Sequence, residues 1–294
     1  MSDPERDQRA DLDIGALAGL PGLDVVREQL AGVIAVIRAE LARRNAGITV
    51  TRPVWKNLVF TGGPGTGKSR TAGAVGGIYR QLGVLTSGHL TEVASAHLTG
   101  ATSRETAKLV RETASRARGG VLLITDAVAS ADLHARDQQV LRCLHEVLAE
   151  VRKDLVVILA GQPDQVRRLL RAHPALASRF PVIIDFPTYT AAQLAAIFAT
   201  LASEAGFTLA PDAARKADAV LACADNDLGS GSARLAVRLL DQATASQARR
   251  ITALRQPAAL DALRTIYAID IPDHLNPHDP PGPAADDQWP GQYL

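Results

Sequence analysis

The stretch Gly62-Gly63-Pro64-Gly65-Thr66-Gly67-Lys68-Ser69 satisfies G-x-x-x-x-G-K-[ST]. Glycines at these spacings let backbone N–H groups turn inward around phosphate oxygens, where side chains would obstruct them. The start of the helix that follows adds partial positive charge. In such a loop Lys68 reaches the β- and γ-phosphates of a nucleotide, and the Ser69 hydroxyl ligates Mg²⁺. A glycine-rich turn matching by chance would lack the flanking pattern. Here an apolar run, Asn57–Phe60, feeds the loop, and a helical pattern over Gly67–Gln81 leaves it. The chemistry implied is binding of ATP or a closely related nucleotide together with Mg²⁺.

The elements that position this loop follow from periodicity. Leu23, Val26, Leu30, Val33, Ile34, Ile37 and Leu41 recur at helical spacing, and Asn45 and Gly47 end that helix. Strands are expected at His89–Val93, Val121–Ile124, Leu155–Ala160 and Val182–Phe186. Between them lie helical patterns over Arg104–Arg118, Asp137–Arg152 and Asp164–Ala172. The alternation predicts an α/β fold, a parallel sheet with helices on both faces, over residues 16–188. After Pro187 everything reads as helical. Thr190 is the N-cap of Ala191–Ala205, and further helices reach Ile266, giving a small helical lid over 189–268. Residues 1–15 read as a flexible tail. Those from 269 to 294, rich in proline and aspartate, read as a second tail, with Trp289 and Tyr293 as potential docking anchors.

Composition narrows the class. The chain has 294 residues, 32 basic against 31 acidic, for a formal charge of +1. That balance offers no electrostatic case for a nucleic-acid or membrane surface. Hydrophobic residues make up 47%, so a packed core is expected, yet no apolar run is long enough to span a bilayer. Cys143 and Cys223 are far apart without metal-ligand spacing, and Met1–Asp13 does not resemble a signal peptide. A reduced, cytoplasmic setting is the expectation.

With these residues in view, the chain resembles the CbxX/CfxQ-type AAA+ family from about Gly22 to Arg250. The resemblance rests on Gly22-Leu23-Asp24-Val25-Val26, on Phe60-Thr61 running into the glycine loop, and on Leu82-Gly83-Val84-Leu85. It continues through Gly119-Gly120-Val121-Leu122-Leu123-Ile124, Val156–Gly161, Ala177-Ser178-Arg179-Phe180 and Asp185-Phe186-Pro187. It implies a P-loop NTPase module with a helical lid, assembled as a homo-oligomeric ring, a hexamer in the usual case, or as a mixed ring with a paralogue. Such rings turn over ATP to remodel a protein client. By the same resemblance Gly22, Leu23 and Arg70 join the loop residues in holding nucleotide. Arg179 matches an arginine that completes a neighbour's site, with Arg171 as second candidate, and Arg234 matches the lid arginine that senses the γ-phosphate. The plainer role for Arg179 is helix capping or a surface ion pair, and for Arg234 that of a solvated helix arginine.

Two departures from the pattern bear on activity. Four apolar residues followed by Asp-Glu are expected, the aspartate ordering Mg²⁺ and the glutamate activating water. Here Val121-Leu122-Leu123-Ile124 precedes Thr125-Asp126. Without a gap, Thr125 replaces the aspartate and Asp126 the glutamate; with a one-residue slip, Asp126 serves magnesium and Ala127 leaves no base. Both registers predict impaired hydrolysis with binding retained. Asp132 or Asp137 would rescue the missing carboxylate only through a distorted loop, and His134 and His145 make no metal set. The second departure is at the pore, where a glycine–x–aromatic–x–glycine segment grips polypeptide. In Gly100-Ala101-Thr102-Ser103-Arg104 threonine and arginine stand at the aromatic and second glycine positions, which argues against threading. The expectations are therefore a weak or conditional ATPase acting on a protein, or a non-hydrolysing nucleotide-binding scaffold; a small-molecule kinase fits the lid poorly.

Overall fold

The computed structural model describes residues 21–48, 56–126, 135–150, 154–228, 231–253 and 259–275. Residues 1–20 and 276–294, which take in the expected tail over 1–15 and the anchors Trp289 and Tyr293, lie outside the described residues, as do Ala127, Asp132 and His134. The chain divides into two compact units: one holds the residues up to Gly63 and Gly67–Pro187, the other Pro64–Thr66 and Thr188 onward.

In the first unit, strands β1 (Leu58–Thr61), β2 (Leu90–Ala94), β3 (Val121–Thr125), β4 (Val156–Gly161) and β5 (Val182–Asp185) form one sheet in the order β2-β3-β4-β1-β5. Every pairing is parallel. The three inner strands β3, β4 and β1 are apolar almost throughout because helices cover both faces, whereas β2 and β5 are partly exposed edges. The expected strands are all present, shifted by at most a residue or two at their ends.

Helices α1 (Asp24–Asn45), α2 (Lys68–Gln81), α3 (Ser103–Arg116), α4 (Ala135–Glu150), α5 (Pro163–Ala172) and the short α6 (Pro174–Ala177) complete the unit. Helix α1 buries Val26, Leu30, Val33, Ile34 and Ile37 and packs against β5. A core on one side of the sheet joins Leu122, Ile124, Val157 and Leu159 to Val110, Leu144 and Val166 from α3, α4 and α5.

Helix α2 sits unusually close to the loop before β2. A Cβ on Gly76 would lie 2.3 Å from the Gly88 carbonyl oxygen, and one on Gly88 would lie 2.4 Å from that of Gly76. Gly76→Ala therefore costs about 1–3 kcal/mol in overpacking, against at most about 1 kcal/mol gained in helix propensity. A lowered denaturant midpoint is the expected result; an unchanged midpoint would show that the helix can shift without cost.

The second unit is led by α7 (Ala191–Glu204), α8 (Pro211–Leu228) and α9 (Arg234–Thr252). Thr190 caps α7 through the Gln193 N–H, and the Gln193 side chain accepts from the Thr190 N–H. The all-helical expectation misses one feature. Strands β6 (Thr208–Leu209) and β7 (Thr265–Ile266) pair in parallel, with the short α10 (Leu260–Arg264) just before β7. Two residues per strand are too few to register as alternation. The tail expected from residue 269 also begins with packed residues: Asp270 and Ile271 are each 1% exposed.

Candidate functional site

The glycine loop leaves β1 and enters α2 at Gly67, which caps the helix in a left-handed conformation (φ 91°) that favours glycine. Lys68 and Ser69 are thereby the first two residues of α2, the position from which a side chain can reach a phosphate held at the helix start. The Lys68 Nζ donates to the Gly62 carbonyl at 2.9 Å and to the Gly63 carbonyl, so the ammonium lies over its own loop. Ser69 Oγ donates to Glu92 Oε1 of β2 at 2.9 Å. Arg70, half-buried, follows in the first turn.

The loop tip, Pro64–Thr66, groups with the second unit. There the Ala233 N–H donates to the Gly65 carbonyl at 3.0 Å, and the buried Tyr189 hydroxyl donates to the Thr66 carbonyl at 3.0 Å. Gly65 has φ 72°, and a Cβ on it would lie 2.1 Å from Ser232 Oγ and 3.3 Å from Arg234 Cγ. Arg234 opens α9 beside this tip, exposed, with its backbone N–H donating to Ser232 Oγ at 3.3 Å. The structure thus brings Arg234 to Gly65.

The other expected residues are spread along the first unit. Thr125 is the last residue of β3, half-buried, and pairs in register with Ala94 of β2. Asp126 is exposed and, with φ 50°, is the one described non-glycine residue in the left-handed region. Ser95 Oγ donates to its carbonyl, which fixes the turn. Aspartate tolerates this conformation better than most residues, though at a cost. Arg179 is half-buried, and its carbonyl accepts from Asn57 Nδ2 at 3.3 Å. Asn57 Oδ1 in turn accepts from the Val157 N–H at 2.9 Å, so one buried amide ties the Arg179 segment to β4. Arg171 is exposed at the end of α5. Gly22 and Leu23 lead into α1, with Leu23 2% exposed, and make no hydrogen bond to the glycine loop among the described residues.

Thr102, at the expected pore position, has a structural task. It caps α3, accepting from the Glu105 N–H at 3.2 Å, while Glu105 Oε2 accepts from the Ala101 N–H at 2.9 Å. A capping hydroxyl satisfies a backbone donor that an aromatic ring would leave to water.

Glu92 and Asn57 are the residues that sequence reasoning passed over. An acid on an edge strand reads as a solvated face, and only its distance from Ser69 singles it out. For Mg²⁺ the available donors are all oxygen, the hydroxyl of Ser69 and the carboxylate of Glu92, which suits a hard cation. The described residues hold no cluster of three or more histidine, cysteine or acidic groups, and no helix among them is long and apolar enough to cross a membrane.

Comparison with known proteins agrees with this architecture. Residues 58–188 match the model of the ATPase family associated with various cellular activities (AAA), and residues 190–280 match that of the AAA lid domain. The chain is 33% identical over 257 residues to protein CbbX of Cereibacter sphaeroides, covering 86% of this chain and 82% of that protein. It is 33% identical to protein CfxQ of Xanthobacter flavus, covering 86% and 80%. A chloroplastic ribulose bisphosphate carboxylase/oxygenase activase of Cyanidioschyzon merolae is 30% identical, with 86% and 87% covered. Among solved structures, a mutant RuvB of Thermotoga maritima superposes with a TM-score of 0.54 at 17% identity, covering 85% of this chain and 68% of that one.

Proposed function

Because the chain belongs to the CbxX/CfxQ-type AAA+ family, we propose that it binds ATP with Mg²⁺ and turns it over weakly or conditionally to act on a protein partner. The observation that carries the reading is the glycine loop between β1 and α2, with Lys68 and Ser69 at the helix start. On phosphate binding, Lys68 exchanges two carbonyl acceptors of its own loop for anionic oxygens, a stronger pairing. Magnesium, when bound, neutralises charge developing on the phosphates. Backbone N–H groups of the loop hold the phosphate chain, and Arg234, beside Gly65, supplies a planar guanidinium for the terminal phosphate.

The assembly we infer is a ring, of identical subunits or mixed with a paralogue, in which Arg179 is presented to a neighbour's nucleotide. The Asn57 tether to its backbone restricts where that arginine can point.

Thr125 and Asp126 favour a second reading, a nucleotide-gated scaffold that binds ATP without turning it over. Thr125 brings no charge, and Asp126 follows β3 with a left-handed backbone, outside the extended conformation of the strand. Steady-state ATP hydrolysis by the purified chain, with Lys68→Ala as background, separates the two. Turnover above that background supports the ATPase. Turnover equal to it, with ATP still bound by the unsubstituted chain, supports the scaffold. In either case Lys68→Ala weakens ATP binding by roughly 10–100-fold, the worth of hydrogen bonds from a charged donor.

A further inference from the structure

We propose that Glu92 is the acidic group that orders magnesium at the nucleotide site, supplying from β2 the charge that Thr125 of β3 lacks. This rests on the nucleotide-binding role given above to Lys68 and Ser69.

Three placements carry it. Ser69, whose hydroxyl is the expected metal ligand, donates to Glu92 Oε1 at 2.9 Å. Glu92 and Ala94 are alternate residues of β2 and so project from the same face of the sheet. Ala94 is the register partner of Thr125, and Glu92 that of Leu123, so the Glu92 carboxylate emerges on the face that carries the Thr125 hydroxyl. Helix α2, which contacts both β2 and β3, lies on that face.

The chemistry suits this placement. Mg²⁺ demands oxygen ligands, keeps several waters, and in nucleotide sites is held by one or two carboxylates plus phosphate. Thr125 offers a neutral oxygen only. A glutamate one strand away must cross about 4.8 Å more than a residue on β3 itself. Its extra methylene relative to aspartate covers part of that gap, and a water in the metal's shell can cover the rest. The other nearby acid, Asp126, has its backbone turned left-handed and its carbonyl held by Ser95. Glu92 acts through the metal and Ser69, and is therefore a positioning residue. A plainer account makes the Ser69–Glu92 pair a favourable charge at a helix N-terminus, which would touch stability but not metal dependence.

The test titrates Mg²⁺ against binding of a fluorescent ATP analogue by the full chain, with metal-free binding of the same analogue as reference. Glu92→Gln should raise the Mg²⁺ concentration at half-effect by roughly 10–100-fold, as loss of an outer-shell partner does elsewhere. It should leave metal-free affinity and thermal unfolding unchanged, and adding Thr125→Asp should restore the metal response. A Glu92→Gln curve superimposed on that of the unsubstituted chain overturns the proposal, as does a shift seen only in Asp126→Asn. Metal-free binding that is absent, or unaffected by Lys68→Ala, overturns the nucleotide-binding role itself and the proposal with it.

Discussion

Arg250→Ala destabilises the helical unit by about 3–5 kcal/mol, the usual cost of stranding one member of a buried ion pair. Asp270 is 1% exposed, and both of its oxygens accept from Arg250, each at 2.8 Å. Its Oδ2 also accepts from the Tyr267 N–H at 2.9 Å. Arg250 in turn donates to the Thr265 carbonyl at 3.2 Å and stacks over the Tyr267 ring at 4.9 Å. The hydrogen bond to Asp270 raises the guanidinium's pKa further, so Arg250 keeps its charge at every working pH. One side chain of α9 thus fastens β7 and the turn after it. Removal leaves a desolvated carboxylate with a single backbone donor. Denaturant unfolding of Arg250→Ala should show the loss. Replacing both partners, as Arg250→Met with Asp270→Leu, should recover most of it, because two apolar groups leave no buried charge. A loss below about 1 kcal/mol in the single variant would mean that water reaches Asp270 and solvates it.

That pair also marks where legibility in the sequence ends. The strands around the loop could be read because each is a short apolar run of β-branched and aliphatic residues next to a glycine or a turn, and burial on both faces demands that composition. The glycine loop could be read because its chemistry lies in local spacing. Asp270 could not. It stands beside a proline- and aspartate-rich segment whose composition argues against packing, and its partner is twenty residues earlier in the chain. Gly76 and Gly88 are unremarkable glycines until their backbones are seen to touch. Glu92 illustrates the same limit at the site. Its relation to Ser69 depends on the lateral order of strands, which places β2 beside β3, and no spacing along the chain encodes that order. The backbone of Asp126 is likewise a tertiary outcome, set by the Ser95 hydroxyl at the end of the neighbouring strand. Local chemistry is written in local sequence, while charge complementarity and strain depend on which strands become neighbours.

Restoring the acidic pair, Thr125→Asp with Asp126→Glu, should raise ATP turnover by about 10²-fold, the rate that a misplacement of roughly 1 Å costs a reacting group. Thr125 ends β3 in register with Ala94, so an aspartate there places a carboxylate on the face shared with Glu92, where metal-bound waters need orientation. Asp126 is one methylene shorter than glutamate, and its φ of 50° takes its backbone out of the extended conformation of the strand. Glutamate is the poorer occupant of a left-handed position, so the substitution also presses the backbone back toward ordinary φ. The pair should leave ATP affinity close to that of the parent, because affinity rests on Lys68 and the loop amides, and should change the rate of the chemical step. Single-turnover hydrolysis at saturating ATP and Mg²⁺ reads that step directly. An increase seen with Asp126→Glu alone would place the deficit in the activation of water. An increase seen with Thr125→Asp alone would place it in metal order, and Glu92 would then be only a partial substitute. No increase in the double variant would remove the acidic pair as the limiting element. The rate would then be set by residues that a neighbouring subunit must bring, Arg179 first among them.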